Sequence, residues 1–255
     1  MKTPRTSKTV FFTIVSDNYY YPIGCHKFIT SFKKYHPDID LVVFRQDMIN
    51  KVFKEKGVNF YMAKPTFAKL LVNDYDLVVN IDCDSAILGR MDEVLKEDYE
   101  VGGAWNFNEY ENASLENVTE KMYVQAGLIG SRDKRFWDEW EKANKEAMNY
   151  VRQENDILNL VWYNNEYVNK LKRKIFDKKT KDFYGCKSLG REMEFYVKDD
   201  KVMCGDGQVV VYHQARGAKF PKLDFTVSSL DISTDVSNYW EVLSMSGLTV
   251  KYGTV

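Results

Sequence analysis

Asp76-Leu-Val-Val-Asn-Ile-Asp-Cys-Asp84-Ser85 joins a short apolar run to two carboxylates. Leu77, Val78, Val79 and Ile81, bounded by polar residues, predict a strand buried on both faces, the pattern of a parallel sheet. If extended backbone continues past Ile81, Asp82 and Asp84 stand two residues apart on one side of it. Both carboxylates then project from the carboxyl end of a central strand, where open α/β sheets bind their ligands. Two like charges held that close repel unless a proton or a cation sits between them, and carboxylate oxygens suit Mg²⁺ or Mn²⁺. Aspartates after a strand also make turns and cap helices, so the pair gains meaning only from the rest of the chain.

Upstream, Val10 to Val15 predicts a first strand ending at Ser16-Asp17-Asn18, then a helix from Pro22 to about Tyr35 with Ile23, Phe28, Ile29 and Phe32 on its apolar side. Leu41 to Phe44 reads as a second strand, residues 48–56 as a helix stopping at Gly57, and Thr66 to Val72 as a helix after Pro65. Downstream, Val101 to Trp105 and Tyr123 to Gly130 read as strands on either side of a polar loop over 106–121, long enough to carry function. Arg132 to about Tyr150 and Glu154 to Trp162 predict helices, and Val209 to His213 a strand ending in histidine. Residues 164–201, rich in Lys and Asp, resist assignment, and the last 35 residues carry a weak pattern of short strands. Strands alternating with helices in the first half predict βαβ units: an α/β protein with a mainly parallel sheet flanked by helices, in a single domain over 1–255.

Composition narrows the function classes. A formal net charge of −1 gives no general attraction to nucleic acid. No apolar stretch of about 18 residues exists to span a membrane, and no signal peptide is recognisable. Those two features predict a cytoplasmic location, and the four widely spaced cysteines point to a reducing compartment and no zinc site. Against that background the sequons at Asn112 and Asn117 read as incidental. The 17 Tyr and 5 Trp suit either sugar stacking or an aromatic core, and the Trp137/Trp140 pair reads as core.

Several short stretches line up, in order over residues 10–220, with the GT-A glycosyltransferases related to glycogenin and the bacterial α-galactosyltransferases (glycosyltransferase family eight). Ser16-Asp17-Asn18-Tyr19 resembles that family's nucleotide-binding opening. Thr66-Phe-Ala-Lys69 resembles its aromatic-Ala-Arg segment, and Asp82-Cys-Asp84 its D-x-D. Gln125-Ala-Gly127 resembles its Asn-Ala-Gly strand, and Glu154-Asn155-Asp156-Ile-Leu-Asn its Asp-Gln-Asp-Ile-Leu-Asn helix. His213-Gln-Ala-Arg-Gly217-Ala-Lys219 resembles its His-x-x-Gly-x-x-Lys ending, with the glycine displaced by one and the spacing to Lys219 kept. Lys69 stands where the family has Arg, which keeps charge and loses the guanidinium fork.

The resemblance implies a GT-A (Rossmann-like) fold and transfer of a hexose from a UDP-sugar to a glycan or other hydroxyl acceptor, with retention of configuration. It divides the chain into a nucleotide-sugar half (about 9–104), an acceptor and catalytic half (about 105–220) and an extension (221–255). It makes Asp82, Asp84 and His213 ligands of Mn²⁺ (or Mg²⁺). It places Asp17, Asn18, Tyr19, Lys69, Asp82 and Lys219 at the nucleotide, with Asp17 reading the uracil imide. It places Glu154, Asn155, Gln125 and Lys219 at the reacting centre. The chemistry needs such groups, because the departing diphosphate gains negative charge that a divalent cation and a lysine can stabilise. Two other readings remain open at this point. The replacement of Asp-Gln by Glu154-Asn155 is compatible with a catalytically silent nucleotide-sugar-binding module. A D-x-D phosphatase would need its motif on the first strand and Thr or Val where Ala86 stands.

Overall fold

Val10, Phe11, Phe12 and Ile14 make β1 (Thr9–Ile14), the strand from which the main sheet is laid out. The computed structural model describes residues 8–16, 20–56, 62–96, 98–105, 123–147, 154–176, 183–186, 195–199, 201–204, 207–213 and 251–252. β2 (Asp40–Phe44) lies parallel to β1 on one side and β3 (Leu77–Ile81) parallel to it on the other. Chain order therefore reverses direction beside β1, creating a switch point between β1 and β3 whose carboxyl-end crevice is the standard ligand position of such sheets. Beyond β3 come β6 (Val124–Ser131), β5 (Val101–Trp105) and β7 (Arg173–Phe176), while β12 (Lys251–Tyr252) pairs with the far edge of β2. β6 runs antiparallel to both neighbours and every other pairing in this seven-stranded sheet is parallel. The sheet is thus mixed and mainly parallel, as the sequence pattern predicts.

Side chains alternate across the sheet and recruit a helical layer on each face. Phe11, Leu41, Val43, Leu77, Val79 and Ile81 pack with Cys25, Phe28, Ile29 and Phe32 of α1 (Tyr20–Tyr35) and Val94 of α4 (Asp92–Lys96). Val10, Phe12, Val42, Phe44 and Val78 face the other way. They meet Ile49 and Val52 of α2 (Gln46–Lys56), Phe67 of α3 (Lys64–Lys69), Trp137 and Trp140 of α5 (Lys134–Ala147), and Ile157 and Leu158 of α6 (Glu154–Asn164). Each such side chain contributes roughly 1.5–3 kcal/mol by leaving water. Trp137 and Trp140 are fully buried and stack at 5.8 Å, so the pair is core. α5 starts where Asp133 Oδ1 accepts the Phe136 N–H as an N-cap.

A second, five-stranded sheet joins β4 (Ser85–Ile87) to β11 (Gly207–His213), with β10 (Lys201–Cys204), β9 (Phe195–Lys198) and β8 (Phe183–Cys186). Two of its short strands, β8 and β9, together with a 3-10 turn at Val168–Lys170 and β7, fall in the segment whose charged composition resisted assignment. α3 begins two residues earlier than periodicity suggests, because Pro65 fits the first turn and lets Lys64 open the helix. The polar loop expected over 106–121 and most of the last 35 residues lie outside the described residues.

His36, just past α1, is fully buried against Phe11 and Phe32, and its Nε2 accepts the Met91 N–H. Burial, helped by nearby Arg90, pushes its pKa down to about 4. The unfolded chain takes up this proton near pH 6.5 and the folded chain only near 4. Stability is therefore complete above pH 6.5 and is lost as pH falls towards 4, by at most about 1.4 kcal/mol per pH unit. His36→Gln, whose amide oxygen can still accept from Met91, is expected to flatten this limb in urea unfolding measured from pH 7 to 4. An unchanged difference between pH 7 and pH 4 would contradict the assignment.

Candidate metal and active site

β3 ends at Ile81, and the next residues turn rather than extend: the Ser85 N–H donates to the Asp82 carbonyl at 3.1 Å. The carboxylates of Asp82 and Asp84 converge through this turn, not through the strand alternation that the sequence suggests. Cys83, between them, packs into the core on the α1 side, where burial raises its thiol pKa and keeps it protonated. The Asp82 N–H is held by the Gly127 carbonyl at 2.9 Å. β4 then starts at Ser85, and its antiparallel partner β11 sets His213 opposite Ser85. That register carries a histidine 128 residues away in sequence to the D-x-D.

His213 Nε2 lies 2.9 Å from Asp84 Oδ1 and 3.6 Å from Asp82 Oδ2. One ligand atom from each of the three residues falls within 4.8 Å of the others. Two carboxylates and one imidazole form a borderline-hard donor set that suits Mn²⁺ better than Ca²⁺. The side chains of Asp84 and His213 are 10% and 7% exposed, so a cation bound here would be only partly open to solvent.

The second feature is a cation that sequence reading did not find. Lys64 opens α3, and its Nζ reaches Asp82 Oδ1 at 2.7 Å, Glu154 Oε1 at 2.8 Å and the Ala126 carbonyl at 3.1 Å. Burial alone would lower the Lys64 pKa, but the Asp82 and Glu154 carboxylates overcome it and hold it raised. Glu154, at the start of α6, is pushed up to about 7 by burial, against the pull of Lys64 and with the charge of Asp82 adding to the rise. Its Oε2 is buried without a hydrogen-bond partner.

The β6 backbone ties these groups together. The register between β5 and β6 shifts between Gly103 and Ala104, so that Gln125 faces Ala104 while Ile129 faces Gly103. A Cβ at Gly103 would lie 2.5 Å from Val124 Cγ1, which leaves room for no side chain there. The shift aims the Ala126 peptide at the site: its carbonyl accepts from Lys64 and Asn80, and its N–H donates to Asn155 Oδ1 at 2.9 Å. Asn155 thus spends its amide oxygen on backbone, and Gln125 is a buried neighbour of this peptide.

Of the other site residues read from sequence, Lys69 lies elsewhere. Its Nζ pairs with Asp138 at 2.7 Å and Glu141 at 2.9 Å on α5, and Thr66 donates to the same Glu141. α3 carries two Ala-Lys pairs, Ala63-Lys64 at its start and Ala68-Lys69 at its end, and only the first faces Asp82 and Glu154. Its signal was the adjacent Pro65, which marks Lys64 as a helix start. Asp17, Asn18, Tyr19 and Lys219 lie outside the described residues. Ser16, immediately after β1, borders an open groove of about 450 Å³ with Gln46, Ile49, Asn50, Phe53 and Lys54 of α2. Among the described residues no helix is long and apolar enough to cross a membrane.

No protein-family model and no curated protein matches this sequence. Among solved structures, the chain is similar to the galactosyltransferase LgtC in complex with donor and acceptor sugar analogues, at 18% identity and a TM-score of 0.49 over 95% of this chain and 97% of that one. An active-site mutant of LgtC aligns with the same coverage at 15% identity and a TM-score of 0.49. The bifunctional glycosyltransferase WbbM, in its apo form, aligns at 17% identity and a TM-score of 0.44 over 69% of this chain and 40% of that one.

Two substitutions separate the metal group from the neighbouring ion pairs. Asp84→Asn is expected to lower Mn²⁺ affinity by more than the roughly 10–100-fold that even outer-shell changes cost, with little effect on melting temperature. Lys69→Met is expected to leave Mn²⁺ affinity unchanged and to cost stability on the order of 1–3 kcal/mol, because Glu141 loses a charge-assisted partner. Calorimetric Mn²⁺ titration and thermal melting of both proteins check the pair of outcomes.

Proposed function

We propose that the protein is a metal-dependent GT-A glycosyltransferase that moves a hexose from a UDP-sugar to a glycan or other hydroxyl acceptor with retention of configuration. The observation that carries the reading is the convergence of Asp82, Asp84 and His213 at the carboxyl end of β3, beside the sheet's switch point. Asp82, Asp84 and His213 would hold Mn²⁺ or Mg²⁺, which when bound supplies positive charge to the departing diphosphate. The order of the motifs along the sequence and the similarity to glycosyltransferase structures agree with this class.

In this reading the half of the chain up to about residue 104 binds the nucleotide. Asp17, three residues past β1 in sequence, accepts the uracil imide proton, with Asn18 and Tyr19 at the nucleotide. Lys219 is a point charge for the diphosphate. Glu154, at the start of α6, acts at the reacting centre. Asn155 and Gln125 hold the β6 edge of the sugar site, and Lys69, engaged with α5, takes no part. Because the Asn155 amide is engaged with backbone, a protein that binds a nucleotide sugar without turning it over is the competing reading.

Hydrolysis of the donor needs no known acceptor and decides between them. UDP-sugar cleavage that requires Mn²⁺ and is lost in Asp84→Asn is the expected result, whereas UDP-sugar binding without cleavage would support the silent module. If Lys219 stabilises charge that grows on the diphosphate, Lys219→Ala should lose on the order of 10²–10³ in turnover. The donor KM should change less, because the interaction strengthens in the transition state. An unchanged hydrolysis rate in Lys219→Ala would remove Lys219 from the site.

A further inference from the structure

A buried lysine is costly unless every donor is satisfied, and this one is satisfied in an unusual way. The three N–H bonds of an ammonium are all spoken for at Lys64: one to Asp82, one to Glu154 and one to the Ala126 carbonyl. Its side chain is 9% exposed. The three partners come from the end of β3, the start of α6 and the shifted segment of β6, and Lys64 itself from the start of α3. No ordinary surface ion pair joins four elements in this way, and α3 also packs its apolar face through Phe67 and Ala68.

The division of labour at Asp82 is the informative detail. Oδ1 is taken by Lys64 at 2.7 Å, while Oδ2 is the oxygen turned towards His213. Lys64 therefore fixes the rotation of this carboxylate and presents a single oxygen to the Asp84 and His213 side. The same ammonium fixes the Glu154 carboxylate, so the orientation of the metal-ligating aspartate and that of the α6 carboxylate are coupled.

We propose that Lys64 is a positioning residue: it acts through Asp82 to preorganise the divalent-cation site, and it couples that site to Glu154. The inference rests on the metal reading given above. Ligand-orienting partners of this kind are worth roughly 10–100-fold in metal affinity. The sign is diagnostic. A cation that did nothing but sit near the site would repel Mn²⁺, so its removal would tighten binding. A positioning cation does the opposite: its removal frees Asp82 to rotate and loosens binding.

Mn²⁺ alone, titrated into nucleotide-free protein and followed by the electron paramagnetic resonance of the free ion, is the test. Lys64→Met leaves Glu154 buried beside no cation and is the variant at risk of misfolding. At pH 8, above the value of about 7 at Glu154, the double variant Lys64→Met/Glu154→Met removes one charge of each sign. It leaves the net charge around Asp82 unchanged and no uncompensated charge at positions 64 and 154. The double variant, shown folded by circular dichroism and melting, is expected to bind Mn²⁺ about 10–100-fold more weakly than wild type. Lys64→Arg, which keeps the charge with a different donor geometry, is expected to fall between them. Double-variant affinity equal to or tighter than wild type overturns the proposal while leaving the metal site standing. Wild-type protein that binds no Mn²⁺ overturns the metal reading itself, and this inference with it.

Discussion

Repulsion among the carboxylates of Asp82, Asp84 and Glu154 is the constraint that the surrounding structure answers. Gathered at one end of a buried sheet, where the effective dielectric is low, they would not stay ionised together without compensation. Two compensations are present: Lys64 bridges Asp82 and Glu154, and burial raises the Glu154 pKa towards neutrality. A divalent cation among Asp82, Asp84 and His213 would complete the charge balance that Lys64 begins. Asp82, Asp84 and His213 thus form a group that could hold such a cation.

Holding that arrangement falls to the backbone more than to the side chains. The turn closed by Ser85 and Asp82 brings the two aspartates together, and the pairing of β4 with β11 delivers His213. The antiparallel β6 has a consequence of its own. Its shifted register against β5 lets one residue, Ala126, receive Asn80 and Lys64 on its carbonyl and give its N–H to Asn155. A regular ladder would spend those groups on neighbouring strands. The irregularity is thus the means by which β3, α3 and α6 are brought into register at one point.

What could be read from the sequence divides along physical lines. β1, β2, β3, α1 and α5 announce themselves through apolar runs or helical spacing, because each buries a continuous face. β4, β8, β9 and β10 do not. They are three or four residues long, too short to leave a local pattern, whereas β11 of the same sheet shows in the Val209 to His213 run. His213 was legible as a candidate only through motif order, since nothing near Val209 to His213 says that Ser85 lies beside it. The direction of β6 was equally silent, because a strand buried on both faces looks the same either way up.

The pair Lys64 and Lys69 shows the limit most sharply. Both follow an alanine, both sit in α3, and both end up bonded to two carboxylates. Five residues of helix turn the second by about 140° from the first. That rotation sends Lys69 to Asp138 and Glu141, where it and Thr66 hold Glu141 down to about 2 in pKa against the effect of burial. It sends Lys64 to Asp82 and Glu154. Composition, spacing and charge cannot separate the two, whereas the helix phase set by Pro65 and by the packing of Phe67 against Phe44 does. One short helix therefore carries two cations to two different jobs: Lys69 fastens α3 to α5, and Lys64 reaches the carboxylates at the end of β3.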